Sequence, residues 1–280
     1  FGDGPQKERW LPPIATGEVK AAFGLTEPNA GSDIRAMSTR AERKDGGWVL
    51  NGRKSFISHA NIADLVVVFA KVKEEGKDAI TAFLVETSSE GYEVDKIEHK
   101  MGLKGSTTCS FVLEDVWVPE EAVLGGIGHG MDVALKTLYK SRLVSASQAL
   151  GLAQGALDLS TAYIKEREQF GRPLSRNPLV QAIVGRMVTN TEAARGLIYI
   201  GADRYDKGMK EKARYSSMAK VAASDAAMAV STDAVQIMGG YGYMVEYGVE
   251  RFLRDAKVFQ IFEGANELHL TGIAREYMAL

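Results

Sequence analysis

Residues 119–130, Pro119-Glu120-Glu121-Ala122-Val123-Leu124-Gly125-Gly126-Ile127-Gly128-His129-Gly130, divide the chain into two textures. Gly125, Gly126, Gly128 and Gly130 make the stretch pliable. Beyond it, residues 131–167 hold no proline and favour Ala, Leu, Lys and Gln, which predicts a helix of ~55 Å at 1.5 Å per residue. The glycines are not a dinucleotide fingerprint. They lack the G-x-G-x-x-G spacing and do not fall at a strand-to-helix turn of a βαβ unit.

Ahead of the divide, from Val19 to Val118, the texture is β. Ala21 to Thr26 is a short apolar run. Thr39–Arg43 and Trp48–Asn51 flank Lys44-Asp45-Gly46-Gly47, which predicts a hairpin. A second turn is expected at Asn51-Gly52, followed by Ser55-Phe56-Ile57-Ser58. Leu65–Val72 and Ile80–Glu86 read as strands, and Thr108–Val118 alternates apolar and polar residues. Many short strands joined by glycine-bearing turns suggest a small barrel or sandwich. Before this, Gln6 to Leu11 is expected to be a last helical turn stopped by Pro12-Pro13.

After the divide everything reads helical. Gly171–Pro178, with two prolines, is a connection. Ile183, Met187, Thr191, Ala194, Ile198, Ala202 and Tyr205 recur three and four apart, the stripe of a bundle helix. Tyr215–Met238 is rich in Ala, Ser and Met, and Gly239-Gly240-Tyr241-Gly242 ends it. Two shorter helices are expected around Glu263, the second capped by Asn266. The fold class is therefore α+β and multi-domain: a middle β-barrel or sandwich domain over 19–122, then an antiparallel four-helix bundle over 127–280. Residues 1–18 are expected to be the end of a further helical domain.

Composition excludes several functions. The chain has 280 residues, 45% hydrophobic and 25% charged, with a net charge of −2. No Lys/Arg-rich cluster suits a nucleic-acid backbone. Cys109 is the single cysteine, so no internal disulfide is possible and a reducing compartment is the natural inference. His59, His99, His129 and His269 match no metal-ligand spacing. No apolar run approaches the ~20 residues of a membrane span.

The chemistry concentrates near the end. Val258 to Phe262 is an apolar run leading into Glu263, with Gly264 next. A desolvated carboxylate can act as a base on a weak carbon acid. Read locally, a helix-end Glu solvating a turn is the commoner case.

Longer motifs decide between these. Gly24-Leu25-Thr26-Glu27-Pro28-Asn29-Ala30-Gly31-Ser32-Asp33 resembles the first signature of the acyl-CoA dehydrogenases. Gln236-Ile237-Met238-Gly239-Gly240-Tyr241-Gly242-Tyr243, with Glu246, Arg251 and Asp255, is similar to the second. Ile261-Phe262-Glu263-Gly264 resembles the segment carrying the catalytic base, and Glu166–Gly171 adds a fourth match. The resemblance covers nearly the whole chain. It implies an amino-terminal helical domain, absent here, ahead of the β domain and the bundle. It also implies a homodimer or homotetramer, FAD as cofactor, and an electron-transfer flavoprotein as partner. The expected setting is fatty-acid β-oxidation in a bacterial cytoplasm or the mitochondrial matrix.

By that resemblance Glu263 takes the α-proton of an acyl-CoA thioester while flavin N5 takes the β-hydride, giving a 2-enoyl-CoA. The Glu263 N–H and a ribityl hydroxyl would hold the thioester oxygen, and Gly264 would leave room for it. Some relatives carry the base where Ser141 stands, and serine without a paired base cannot replace it. Leu25, Thr26, Phe56, Ile57 and Ser58 would line the flavin, and Ser32 would reach towards FAD and CoA. Arg167, Phe170, Gln236, Gly239 and Gly240 would meet the FAD of a neighbouring subunit. Arg142 and Arg275 match residues that hold CoA or its pocket, and either could instead be a structural ion pair.

Three departures from the family pattern stand out: Asn177-Pro178 where Phe-Gln is common, Ala265 and Glu267 after the base, and Leu270 in place of Arg. They put the FAD contacts near them in doubt. Bulky Tyr139 and Tyr243 suggest a short, branched or cyclic acyl group. An acyl-CoA oxidase of the same fold and a non-catalytic assembly or binding protein are the alternatives.

Overall fold

In the computed structural model, which describes residues 1–74 and 76–279, the chain opens with helix α1 (Gly4–Thr16). Asp3 caps it, accepting from the Gln6 N–H, and the Gln6 side chain answers the Asp3 backbone. Pro12 and Pro13 do not stop this helix, contrary to the sequence reading. They remove donors to the carbonyls of Glu8 and Arg9, both exposed, so water can take their place. The helix ends instead at Gly17, in the left-handed conformation.

Eight strands follow: β1 (Ala21–Gly24), β2 (Arg40–Lys44), β3 (Gly47–Ser58), β4 (Leu65–Glu74), β5 (Lys77–Glu86), β6 (Tyr92–Ile97), β7 (Thr108–Pro119) and β8 (Val123–Leu124). They form one sheet in the order β6-β7-β3-β2-β4-β5-β8, with β1 parallel to β4. The β2–β3 hairpin turns on Asp45 and Gly46, at φ 50° and 76°, the two left-handed residues of a type I′ turn.

The second expected turn is not one. β3 runs unbroken through Asn51-Gly52, with a register shift against β7 between Leu50 and Gly52. Gly52 sits at φ 155°, where a Cβ would lie 2.4 Å from Thr39 Oγ1. Glycine here allows close approach inside a bulge rather than a chain reversal. A second shift, between Lys54 and Ile57, leaves Phe56 at φ 58°.

β6 has no counterpart in the sequence reading. It is an edge strand of Tyr-Glu-Val-Asp-Lys-Ile, mostly exposed, so burial gives it no strong apolar alternation. The sheet's core is made of large side chains, among them Trp48, Leu50, Val66, Val68, Phe83 and Phe111. Cys109 is buried among them.

The helical half contains α2 (Gly130–Glu166), a small ribbon of β9 (Glu168–Gln169) and β10 (Arg172–Pro173), α3 (Pro178–Asp206), α4 (Lys212–Met238), α5 (Val249–Ala256) and α6 (Asn266–Tyr277). Asn177 caps α3, accepting from the Leu179 N–H, and Pro178 takes the first helical position. On α3 the buried residues are Met187, Thr191, Ala194, Ile198 and Gly201. Much of this core is alanine: Ala146, Ala149, Ala153, Ala156, Ala219, Ala223, Ala227 and Ala234. Small side chains let helices approach closely.

Contacts divide the chain into two compact units: Phe1–Lys100 with Lys104–Lys136, and Met101–Leu103 with Thr137–Leu280. Together they have the mixed architecture of a sheet-based part and a helical part. Among the described residues, no helix is long and apolar enough to cross a membrane, and no cluster of His, Cys, Asp or Glu could hold a metal ion.

Candidate active site

Glu263 lies in the turn between a short 3-10 segment, Lys257–Gln260, and α6. Both Ile261 and Phe262 donate their N–H to the Val258 carbonyl, at 2.9 and 3.0 Å. The chain then turns sharply, with Glu263 at φ 58° and Gly264 at φ 93°. A left-handed backbone at a non-glycine residue is sparsely populated and persists where surroundings impose it.

Those surroundings are polar and come from three helices. From α2, Arg142 Nε donates to the Glu263 carbonyl at 3.3 Å. His269 Nε2, on α6, is 3.0 Å from the same oxygen. From α4, Lys220 Nζ donates to the Gly264 carbonyl at 2.7 Å and to Asn266 Oδ1 at 2.9 Å. Two successive carbonyls are thereby tied back into the protein. Among the described residues, nothing accepts a hydrogen bond from the Glu263 N–H.

Among the described residues the carboxylate has one hydrogen-bond partner, Ser141, whose hydroxyl donates to Glu263 Oε2 at 2.6 Å. The two positions that the resemblance offered for a base are therefore in contact. Glu263 is half-buried. Its apolar neighbours do not wrap it: Ile261 is exposed, and Phe262 packs edge-on against the buried Phe259 at 5.1 Å.

Electrostatics follow from burial. Burial, then the nearby Arg142 charge, pushes the His269 pKa down to about 4. The ring is neutral near pH 7, and because a carbonyl only accepts, Nε2 carries the proton. Burial also lowers Arg142. It brings Lys220 down to about 8, with Arg142 again assisting. Gly264 is required for two reasons: its φ, and a Cβ that would stand 2.8 Å from His269 Nε2.

Asn266 does not cap α6, as the sequence had suggested. Ala265 occupies the cap position, and Asn266 is buried with its amide turned to α4. There its Oδ1 accepts a hydrogen bond from Lys220 Nζ, and its Nδ2 donates to Ser224 Oγ and Asp225 Oδ1, both at 2.9 Å. A buried ammonium needs an acceptor more than an exposed helix start needs a cap.

A second cluster in the helical unit surrounds a cleft of 460 Å³. Arg167, Gln236, Gly239 and Gly240 line it together with Tyr163 and Tyr241. The Arg167 guanidinium lies 5.2 Å from the Tyr241 ring centre. A permanent cation, aromatic faces and open glycine backbone suit a phosphate joined to a flat heterocycle. Phe170 is 97% exposed at φ 55°, at the tip of the β9–β10 ribbon. Arg275 is exposed on the last turn of α6.

In the sheet unit, Ser55 donates its N–H to the Thr26 carbonyl at 2.9 Å. This brings the Leu25-Thr26 segment beside Phe56-Ile57-Ser58. Leu25 and Ile57 are buried, while Ser32, Phe56 and Ser58 are exposed. Beneath them lies a pair the sequence did not reveal. Lys54 Nζ donates to Glu27 Oε1 at 2.7 Å, with Lys54 wholly buried and Glu27 nearly so. Glu27 also accepts from the backbone and hydroxyl of Ser38 and Thr39. Burial would raise the Glu27 pKa, but these bonds and the Lys54 charge hold it at about 2.

The parts that Lys220 and His269 play also escaped the sequence reading. Only Lys220 carried a signal, a lone cation within the small-residue run Ser216-Ser217-Met218-Ala219-Lys220-Val221-Ala222-Ala223.

Comparison with known proteins bears on this arrangement. The family model described as acyl-CoA dehydrogenase, middle domain, matches residues 22–116. That described as acyl-CoA dehydrogenase, C-terminal domain, matches residues 128–278. The chain is 45% identical to an acyl-CoA dehydrogenase of Bacillus subtilis over 96% of its own length and 71% of the relative's. It is also 45% identical to a caffeyl-CoA reductase–Etf complex subunit of Acetobacterium woodii, over 95% and 70%. The butyryl-CoA dehydrogenase structure from Megasphaera elsdenii superposes with a TM-score of 0.96 at 42% identity, covering 99% of this chain and 73% of that one. The chain belongs to the acyl-CoA dehydrogenase family and is an oxidoreductase with FAD as its cofactor.

Proposed function

We propose that the protein dehydrogenates an acyl-CoA thioester between Cα and Cβ, with Glu263 as the base. The observation that carries this reading is the Glu263 turn. Its carboxylate is held by Ser141, its carbonyl is tied back by Arg142 and His269, and its N–H is left without a described acceptor. A thioester carbonyl on that N–H would bring its α-carbon to the carboxylate. Polarising the carbonyl is what makes the α-proton removable by so weak a base. Bound FAD supplies the acceptor for the electron pair that leaves Cβ as hydride.

The residues present suit FAD. Arg167 and the tyrosines of the cleft fit its phosphates and adenine, with Gln236, Gly239 and Gly240 forming the open wall. Leu25, Thr26, Phe56, Ile57 and Ser58 would hold the flavin ring, with Ser32 near them. Phe170, bare on a left-handed turn, fits a contact with a second subunit, so a homodimer or homotetramer is proposed. Gly264, Ser141, Arg142 and Arg275 are assigned to the acyl-CoA side. The Acetobacterium woodii relative belongs to an Etf complex, which supports an electron-transfer flavoprotein as acceptor here. Straight, branched and cyclic acyl-CoAs all remain in the panel to be tested.

The test is anaerobic bleaching of the flavin in full-length protein by that acyl-CoA panel. At least one member should bleach it, and Glu263→Gln should slow that step by ~10³-fold or more. Bleaching that survives the substitution refutes the base assignment. Rapid peroxide release in air, with no added acceptor, would favour an oxidase instead.

A further inference from the structure

The mechanism above makes no use of Lys220, although its side chain is one of the two wholly buried lysines. Burying an ammonium is costly unless every proton finds an acceptor. Here two of the three N–H groups find acceptors among the described residues, the Gly264 carbonyl and Asn266 Oδ1. Asn266 is itself held by Ser224 and Asp225 of α4, and Asp225 also accepts from Gln260 at 2.5 Å. A helix that merely packed would fill this place with an apolar residue, as α4 does at Ala219, Ala223, Ala226 and Ala227.

The location gives the group a task. Gly264 has no side chain, and Glu263 is left-handed, so neither residue fixes the turn by its own preference. The two successive peptides that follow Glu263 are fixed by what grips their carbonyls: Arg142 and His269 on the Glu263 carbonyl, Lys220 on the Gly264 carbonyl. We propose that Lys220 is a positioning residue for the reaction, holding the Gly264 carbonyl and Asn266 so that the Glu263 carboxylate and N–H keep their aim. The proposal rests on the assignment of Glu263 as base.

The charged and titratable groups facing Lys220 are Arg142 from α2, Asp225 on α4, Glu263 in the turn, and Glu267 and His269 on α6. Arg142 disfavours the ammonium, while the three carboxylates favour it. With its pKa brought to about 8 by burial and Arg142, the ammonium is present below that pH and is lost above it. The grip on Gly264 therefore weakens as pH rises.

The experiment uses flavin-loaded full-length protein with the best acyl-CoA of the panel. Lys220→Gln and Lys220→Met should each slow flavin bleaching by ~100-fold, the scale of a small misplacement of reacting groups. The half-saturating acyl-CoA concentration should change less than ~3-fold. Unmutated protein should lose rate as pH rises through about 8, and Lys220→Gln should lack that limb. Amide exchange, followed in the absence of substrate, should quicken in residues 261–266 and not along α4. Should Lys220→Met fail to fold, Asn266→Ala leaves the ammonium on the Gly264 carbonyl and should cost a smaller ~10-fold.

A bleaching rate within ~3-fold of the unmutated protein in Lys220→Gln overturns the proposal. So does amide exchange in 261–266 that Lys220→Gln leaves unchanged. Flavin that no acyl-CoA bleaches in the unmutated protein overturns the function instead, and the exchange measurement still reads the hold on the turn.

Discussion

Lys54 and Glu27 sit together inside the sheet unit with every oxygen of the carboxylate occupied. Such a pair is not a large net source of stability, because desolvation offsets most of the attraction. Removing one partner is another matter. Lys54→Met or Glu27→Gln should destabilise the unit by about 3–5 kcal/mol, since an uncompensated charge or unmet donor stays buried. Urea melts followed by tryptophan fluorescence measure this, Trp48 lying in the same core. The double replacement Glu27→Leu with Lys54→Met should recover much of the loss. His269 makes the complementary prediction. Its folded pKa lies near 4, below the ordinary 6.5. The unfolded chain therefore takes up a proton at a higher pH than the folded one. The stability His269 contributes is complete above pH 6.5 and drains away as pH falls to about 4. The loss should be on the order of 1–2 kcal/mol once solvent screening is allowed for, and it should vanish in His269→Gln.

At the scale of elements, local chemistry explains which readings of the sequence hold. The Asp45-Gly46 hairpin is set by residues acting on their own backbone, so it could be read from the chain. The Asn177-Pro178 start of α3 is equally local, but the sequence reading places Pro178 in a connection. Gly52 and Pro12-Pro13 were misread because each residue type has two uses. Glycine serves a bulge as readily as a turn, and proline is tolerated where solvent meets the orphaned carbonyls. Asn266 was misread because its partner lies on another helix, forty-six positions back in the chain from it at Lys220. No local pattern encodes that distance. The β9–β10 ribbon carries its own prediction. Phe170 contributes almost no burial, so Phe170→Ser should shift stability by less than ~0.5 kcal/mol. If the residue meets FAD across subunits, calorimetry should find FAD bound ~10-fold more weakly.

For the whole molecule, the two units rely on different kinds of core. Large side chains fill the sheet unit, so it is sensitive to losing volume. Phe83→Ala should cost about 3–5 kcal/mol. The helical unit is packed through alanines, so it is sensitive to gaining volume. Ala223→Leu should cost about 1–3 kcal/mol by forcing helices apart. Thermal melts of the two variants check both figures. The architecture was legible because it changes texture once, at the glycine stretch, from short alternating strands to long helical stripes. The motifs pointed to the Glu263 turn for the same reason: they are contiguous. What grips that turn is not contiguous. Arg142, Lys220 and His269 come from three helices.

Cys109 carries one more consequence. It is the only thiol in the chain and is wholly buried in the sheet core. The surface of these 280 residues therefore offers no thiol to a maleimide. A cysteine introduced in place of Phe170 becomes a single attachment point for a spin label or fluorophore. Distances between two copies of that label would report subunit assembly, and Cys109 would not have to be removed first.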